Sequence, residues 1–403
     1  MNTSSTPRPP EVTIPRTPRF QIALAFLAFV LIGANDGALG VLIPGIRGHY
    51  QIDNTTIGLI FFSATVGYLL ASFNNGLLVE RLGSRRFLML GTATYLLCAL
   101  VLSLVPPFAV ILFTYLFLGA AVASLDAGLN AYIAGLPNNT ILLNNLHAFY
   151  GVGAWLGPFV ASGLLALQWH WNQIYLIWGG LSLLVLIGCA SWFKEQATAH
   201  NVAAEESSKN NILFATIRLR VVWIAAFFLF FYTGAEVSIS NWGFSFLTDG
   251  RHIVPLFSGW MISGYWLGLT LGRFVLGYVG QHTGQVRLIQ MSLVGVLVGI
   301  VLLWSLPGAI APACGLFVVG FSLGPMFPTV IALMSRLVAP RILPAAVGFL
   351  ASFANIGAAL CSWSTGSIVQ HVGPWSLLPI EVGITCCMIV LWFLLHARQR
   401  SNA

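Results

Sequence analysis

The stretch Gly76-Leu77-Leu78-Val79-Glu80-Arg81-Leu82-Gly83-Ser84-Arg85-Arg86 separates two apolar segments, and 201 positions later Gly277 to Arg287 does the same. At that offset Gly76 falls on Gly277, Gly83 on Gly284 and Arg86 on Arg287, while Gly33 falls on Gly234 and Gly119 on Gly320. So many coincidences at one offset mark a duplicated chain. A slightly larger offset carries Phe149 and Gly153 onto Phe353 and Gly357, as a short insertion in the second copy would. Glycines in such a stretch let helices approach closely and turn sharply. Glu80 with Arg81, Arg85 and Arg86 can form an ion-pair latch between helix ends, so the element reads as a gating loop and not as a ligand site. The second copy has Gln281 and His282 where the first has Glu80 and Arg81, which predicts a weaker latch there.

Around these loops lies a chain of 403 residues that is 58% hydrophobic and only 7% Asp, Glu, Lys and Arg, against roughly 25% charge in soluble domains. That excludes a soluble enzyme. The 41 glycines and 19 prolines follow no fixed period, which excludes collagen and disorder. Cys98, Cys189, Cys314, Cys361, Cys386 and Cys387 sit in apolar stretches with no CxxC spacing and read as small buried hydrophobes. Apolar windows of about 20 residues predict spans at 20–46, 55–79, 87–104, 108–134, 142–167 and 171–193, then at 221–247, 255–280, 288–306, 309–337, 345–369 and 374–395. The expected fold is an all-α membrane protein of twelve transmembrane helices in two pseudo-symmetric six-helix bundles. Its divisions are an N-terminal tail (1–19), a first bundle (20–193), a polar central loop (194–220), a second bundle (221–396) and a short tail (397–403).

An even number of spans puts both termini on one side. Fifteen of the eighteen lysines and arginines fall on that side, Arg47 and Arg251 fall on the other, and Arg273 lies within a span. Positive charge accumulates on the cytoplasmic side, so both termini and the central loop are expected in the cytoplasm, in a multi-pass chain of the cell (inner) membrane. The net charge of +7 is accounted for by topology and the anionic inner leaflet, without a nucleic-acid partner. The first span is too long for a signal-peptide core and no small-residue cleavage site follows it, so it reads as retained. Duplicated bundles that rock about a midplane site are the architecture of many secondary transporters.

Each ionisable residue inside a span costs about 2.5–3.5 kcal/mol on insertion scales and is a functional candidate by default. There are five: Asp36, Asp126, Glu236, Arg273 and Glu381. Desolvation favours neutral, proton-bearing carboxyls, and four acids against one base are the chemistry of a proton carrier. Asp36 lies roughly 24 Å along its helix from the terminal side at about 1.5 Å per residue. Asp126 enters from the opposite side, so the two converge near the midplane. Both read as proton-coupling sites. Glu236, at the repeat position of Asn35 and beside Asn241 and Trp242, reads as a substrate or proton ligand. Arg273 reads as a structural or coupling partner of an acid, and Glu381 as structural. Asn35, Asn130, Asn144, His147 and Asn355 supply polar ligand candidates, and Trp242 and Phe327 supply faces on which a sugar ring can stack. No nucleotide loop, metal cluster or cofactor motif appears, and a monomer is expected.

The loop at Gly76 to Arg86 resembles the cytoplasmic signature of the major facilitator superfamily, with Glu80 where members usually carry Asp. Asn35-Asp36, Leu125-Asp126 with Asn130, Asn144 to Ala154, Tyr232 to Glu236, Gly272-Arg273-Phe274 and Phe327-Pro328-Thr329 resemble segments of its fucose/glucose:proton symporter family. The resemblance implies alternating access, proton coupling at Asp36 and Asp126, and sugar binding near His147. The fucose-specific branch carries Glu, Gln, Gln and Tyr where this chain has Asp126, His147, Glu236 and Phe327, and Glu at position 236 is closer to the glucose branch. The expected activity is therefore proton-coupled symport of a monosaccharide. The rivals are a proton-driven antiporter exporting drugs or amphipathic metabolites, and a sugar-sensing receptor.

Overall fold

The computed structural model describes residues 19–137, 139–193, 214–305 and 308–401. Most of the expected N-terminal tail and of the central loop lies outside them, as does the end of the C-terminal tail. Ten helical stretches among the described residues are long and apolar enough to cross a membrane. One of them, Asn54–Ser103, is two crossings: at Gly83 the backbone takes φ 75°, ψ 157° and the helix direction breaks. A twelfth crossing is Pro255–Thr283, of 29 residues. It contains Arg273 and several hydroxyl and aromatic side chains, so it is less apolar than its neighbours, and it crosses as part of a packed bundle.

In chain order the spans are Arg19–Tyr50, the two halves of Leu59–Ser103, Phe108–Ala134, Asn139–Ala166 and Trp171–Trp192 in the first bundle. The second bundle has Arg220–Ser245, Pro255–Thr283, Gln285–Ser305, the broken pair Ile310–Leu323 and Met326–Leu337, Leu343–Val372 and Leu377–Ser401. The helices overrun the apolar windows because hydrogen bonding continues into the polar interface after hydropathy has fallen. Span 10 breaks at Gly324-Pro325, because proline has no N–H to continue the ladder.

The duplication is visible in the packing. A β-carbon on Gly67 in span 2 would overlap the Leu116 carbonyl of span 4, and one on Gly268 in span 8 would overlap the Phe317 carbonyl of span 10. Both contacts obey the offset of 201. So do the contacts of Gly119 with Ala64 and of Gly320 with Tyr265. Small residues that bring backbones together are the usual cement of helices in lipid. Gly284 repeats the break at Gly83, with φ 86°, ψ 149°, a conformation that costs glycine little.

The two bundles meet at the face opposite the termini. Arg47 pairs with Asp249 at 3.7 Å, the Asn54 amide donates to Gln370 Oε1 at 3.0 Å, and Thr55 Oγ1 donates to Ser367 Oγ at 3.3 Å. The backbone of Gly40 lies against Ser240 and Asn241, and Gly58 against the Trp363 indole. Towards the terminal face, near the inner ends of spans 2, 8 and 11, a methyl added to Gly76, Gly277 or Gly348 would meet no atom within 4 Å.

The stretch Gly76 to Arg86 lies at this end. Glu80 and Arg81 are exposed and form no ion pair among the described residues. Arg85 instead donates to the Ala190 carbonyl at the end of span 6, and Arg86 is exposed. Three cysteines (Cys98, Cys189 and Cys361) are buried as expected, whereas Cys314, Cys386 and Cys387 are exposed on helices whose outward sides are apolar.

Candidate functional site

Between the bundles lies a cleft of about 490 Å³, within the usual range of roughly 300–1,000 Å³ for small-molecule sites. Asn35, Asp36, Asp126, Glu236, Asn241, Phe327 and Asn355 all line it. Asn130, Asn144, His147, Trp242 and Arg273 do not.

Each of the two aspartates receives one tyrosine and one asparagine. Tyr150 donates to Asp36 Oδ2 at 3.1 Å and Asn35 Nδ2 to its Oδ1 at 3.3 Å. Tyr68 donates to Asp126 Oδ2 at 3.0 Å and Asn130 Nδ2 to its Oδ1 at 2.8 Å. The pattern follows from helix pairing. Span 5 lies on span 1 because Gly153 and Gly157 admit the Val30 and Ala34 carbonyls. Span 4 lies on span 2 through Gly67 and Gly119, so each tyrosine faces its acid across a close helix pair.

Glu236 is buried, with Arg273 of span 8 at 3.6 Å. The Tyr232 hydroxyl lies beside both charges, and the Tyr265 hydroxyl donates to the Glu236 carbonyl at 3.0 Å. Arg273 is thus held behind the cleft as the counter-ion of Glu236. Trp266 faces the cleft with its Nε1 donating to Ser240 Oγ at 3.1 Å. Asn241 is oriented by Ser362 at 3.0 Å, and Asn355 bonds the carbonyl of Ala351 one turn earlier.

The remaining candidates are placed elsewhere. Trp242 is 1% exposed, donates to the Ser362 carbonyl at 2.7 Å and packs on Gly366. It is anchored in the second bundle and meets the Phe61 ring of span 2 edge-on at 6.2 Å, so it packs at the seam between the bundles and is not among the cleft-lining residues. His147 and Asn144 are exposed near the terminal end of span 5. The His147 ring meets Phe29 edge-on at 5.6 Å, near enough to Asp126 and Arg273 for their charges to act on it. Asn130 touches the site through Asp126. Glu381 is 1% exposed and neither carboxyl oxygen has a hydrogen-bond partner among the described residues. Sequence reasoning missed Tyr68, Thr65 and Tyr115, all on the cleft wall.

The repeat offset organises the lining. Asn35 corresponds to Glu236, Asp36 to Val237, Thr65 to Trp266 and Asp126 to Phe327, and all eight face the cleft. The first bundle carries the paired aspartates, and the second carries aromatic or apolar groups at three of the four equivalent positions.

This architecture is reflected in known proteins. Residues 25–253 and 226–403 match the model of the Major Facilitator Superfamily. The chain belongs to the major facilitator superfamily. It is a membrane transporter and not an enzyme. Among curated relatives it is 24% identical to "Bypass of stop codon protein 6" of Saccharomyces cerevisiae, over 94% of this chain and 83% of that one. It is 21% identical to the glucose/mannose transporter GlcP of Bacillus subtilis, over 90% of each. Among solved structures, a point mutant of the nucleoside transporter NupG superposes with a TM-score of 0.78 at 16% identity, over 94% of this chain and 99% of that one. A point mutant of the E. coli fucose:proton symporter FucP superposes with a TM-score of 0.62 at 17% identity, over 95% and 99%. At these identities the structural likeness establishes the superfamily fold.

Proposed function

We propose that the chain is a proton-coupled symporter of a monosaccharide in the inner membrane, with both termini cytoplasmic, working by alternating access. The observation that carries this reading is the pair of aspartates, each held by a tyrosine and an asparagine, facing Trp266, Phe327, Asn241 and Asn355 across one cleft. An acid pair suits protons, and short amides and hydroxyls beside aromatic faces suit a polyhydroxylated ring. The likeness to a glucose/mannose transporter over most of the chain supports a sugar. Because lysine and arginine concentrate on the terminal side, the described state is read as open to the cytoplasm.

The hydrogen bonds suggest how proton and sugar are linked. An ionised carboxylate only accepts, whereas a protonated one must donate from one oxygen. When Asp126 takes a proton on Oδ2, the Tyr68 hydroxyl turns from donor to acceptor. Its own hydrogen is then free to point into the cleft, where a sugar hydroxyl can accept it. Asp36 and Tyr150 form an equivalent switch. One pH unit contributes about 1.4 kcal/mol and 100 mV about 2.3 kcal/mol per charge. One proton therefore supports roughly 500-fold accumulation.

The test is the pH of a lightly buffered suspension of de-energised cells as glucose, mannose, galactose, fucose and a cationic drug are added in turn. Symport predicts alkalinisation with one sugar, abolished in Asp36→Asn and Asp126→Asn. Acidification with the drug and silence with every sugar would replace this reading with antiport. Full proton-driven accumulation in both variants would remove the aspartates from coupling.

A further inference from the structure

A second cavity, of about 450 Å³, opens on the terminal face of the second bundle, apart from the central cleft. It lies where the loop between spans 8 and 9 meets the ends of spans 10 and 12, and its walls include Gln285, Arg287, Gln290, Arg336 and His396. No acid lines it. Arg287 and Arg336 have no hydrogen bond or ion pair among the described residues. His396 stacks on Trp392, with ring centroids 6.4 Å apart and planes 6° from parallel, and its Nδ1 is buried without a hydrogen-bond partner among the described residues. The break at Gly284 starts the 21-residue helix of span 9 at the cavity wall, which adds the positive end of a helix dipole.

From this structure we infer that the cavity binds a phosphate group, namely the headgroup phosphate of an anionic lipid in the leaflet on the terminal side. Convergent arginines with no competing carboxylate are the chemistry of phosphate recognition, and basic pockets between helix ends on the cytoplasmic side hold anionic headgroups. What selects a lipid over a soluble phosphate is the surface leading away from the cavity. Met291, Val294 and Val298 lie one, two and three turns beyond Arg287 on the same side of span 9, and all three are exposed. On span 12, which packs against span 9, Val390, Phe393 and Leu394 are exposed in the same way. A headgroup seated between Arg287 and Arg336 would lay its acyl chains along these two stripes. The first bundle differs at the equivalent place: Gly135 stands at the repeat position of Arg336, and Arg85, next to the counterpart of Arg287, is tied to the Ala190 carbonyl. The inference is independent of the transported substrate.

The experiment uses the full chain, delipidated in detergent, with thermal melting and native mass spectrometry after addition of phosphatidylglycerol, phosphatidylcholine or inorganic phosphate. Phosphatidylglycerol is expected to raise the melting temperature and remain bound as a one-to-one adduct, with phosphatidylcholine and millimolar inorganic phosphate having little effect. The double variant Arg287→Gln/Arg336→Gln should bind phosphatidylglycerol about 30-fold more weakly. Arg218→Gln, at an exposed position on the same face, should bind as the parent does. An equal response to inorganic phosphate would overturn the lipid source in favour of a soluble phosphate. No response to either, or undiminished binding by the double variant, would overturn the site. The three ligand additions to the parent protein stand alone if the double variant does not fold.

Discussion

Replacing Gly40 by alanine tests the link between the sealed opposite face and the open cleft. A β-carbon at Gly40 would overlap the Ser240 carbonyl of span 7 and come within 3.0 Å of the Asn241 Cα. Both atoms are backbone, so no rotamer change relieves the clash, and the two bundles must part at this point. Overpacking a close contact costs about 1–3 kcal/mol, which corresponds to a 5- to 150-fold change in the ratio of two states. Alternating-access conformers differ by only a few kcal/mol, so a shift of this size changes which state dominates. The assay is pulsed electron–electron distance measurement between spin labels at positions 72 in span 2 and 352 in span 11, in a background with the six cysteines replaced. Gly40→Ala should shorten that distance as the terminal ends close. Gly33→Ala is the control, because its β-carbon would overlap the Tyr150 carbonyl within the first bundle. It should lower the melting temperature and leave the distance distribution unchanged. A Gly40→Ala protein with the parental distances and unaltered melting would refute the assignment of this contact as the opposite-face seal.

The other predictions concern single interactions. Arg273→Ala leaves Glu236 buried without its counter-ion and should cost about 3–5 kcal/mol; the double variant Arg273→Ala/Glu236→Gln should recover most of the loss in melting temperature. Tyr68→Phe removes both the hydrogen bond to Asp126 and the hydroxyl offered to the sugar, so it should reduce proton-driven accumulation and also slow sugar exchange at equal concentrations, as measured in proteoliposomes. Asp53 lies outside the spans and caps the turn Asn54–Ile57, and hydrogen bonds from the Thr56 hydroxyl and then the Thr56 amide hold its carboxyl below the ordinary value of 3.8. A lowered value in the folded state means the stabilisation is present above the ordinary value and lost as pH falls through the lowered one. Asp53→Ala should therefore cost about 0.5 kcal/mol near neutral pH, the low end for an exposed cap, and melting across a pH series should show no difference from the parent in strong acid.

Much of the fold was legible because it depends on quantities a sequence displays directly. Hydropathy marks a span without regard to its neighbours, and a duplicated glycine marks the same close approach in both copies. Span 8 shows the exception: Arg273 lowers its hydropathy, yet the helix crosses because Glu236 answers the charge. The cleft was legible where a residue type is costly in lipid, as for Asp36, Asp126 and Glu236. Tyr68 was not, because tyrosine is unremarkable in an apolar helix and its role exists only once span 2 is pressed against span 4. Trp242 had the same composition signal as Trp266. The rotation of span 7 against span 11 turns Trp242 onto Ser362 and Gly366, whereas Trp266 on span 8 faces the cleft, and no local pattern encodes that difference.

The one-sided seal also determines where an electric field acts. Solvent that enters the cleft from the terminal face carries the potential of that side almost to Asp36 and Asp126, so the insulating part of the molecule is the layer between those residues and the contacts at Arg47, Asn54 and Gly58. A transmembrane voltage falls mainly across this layer. A charge that binds in the cleft reaches it with little electrical work. It crosses the field only when the bundles turn over and the insulating layer moves to its other side. The electrical term of about 2.3 kcal/mol per charge at 100 mV is then attached to the turnover step, and a voltage jump should appear as a transient displacement current whose time course follows the conformational change.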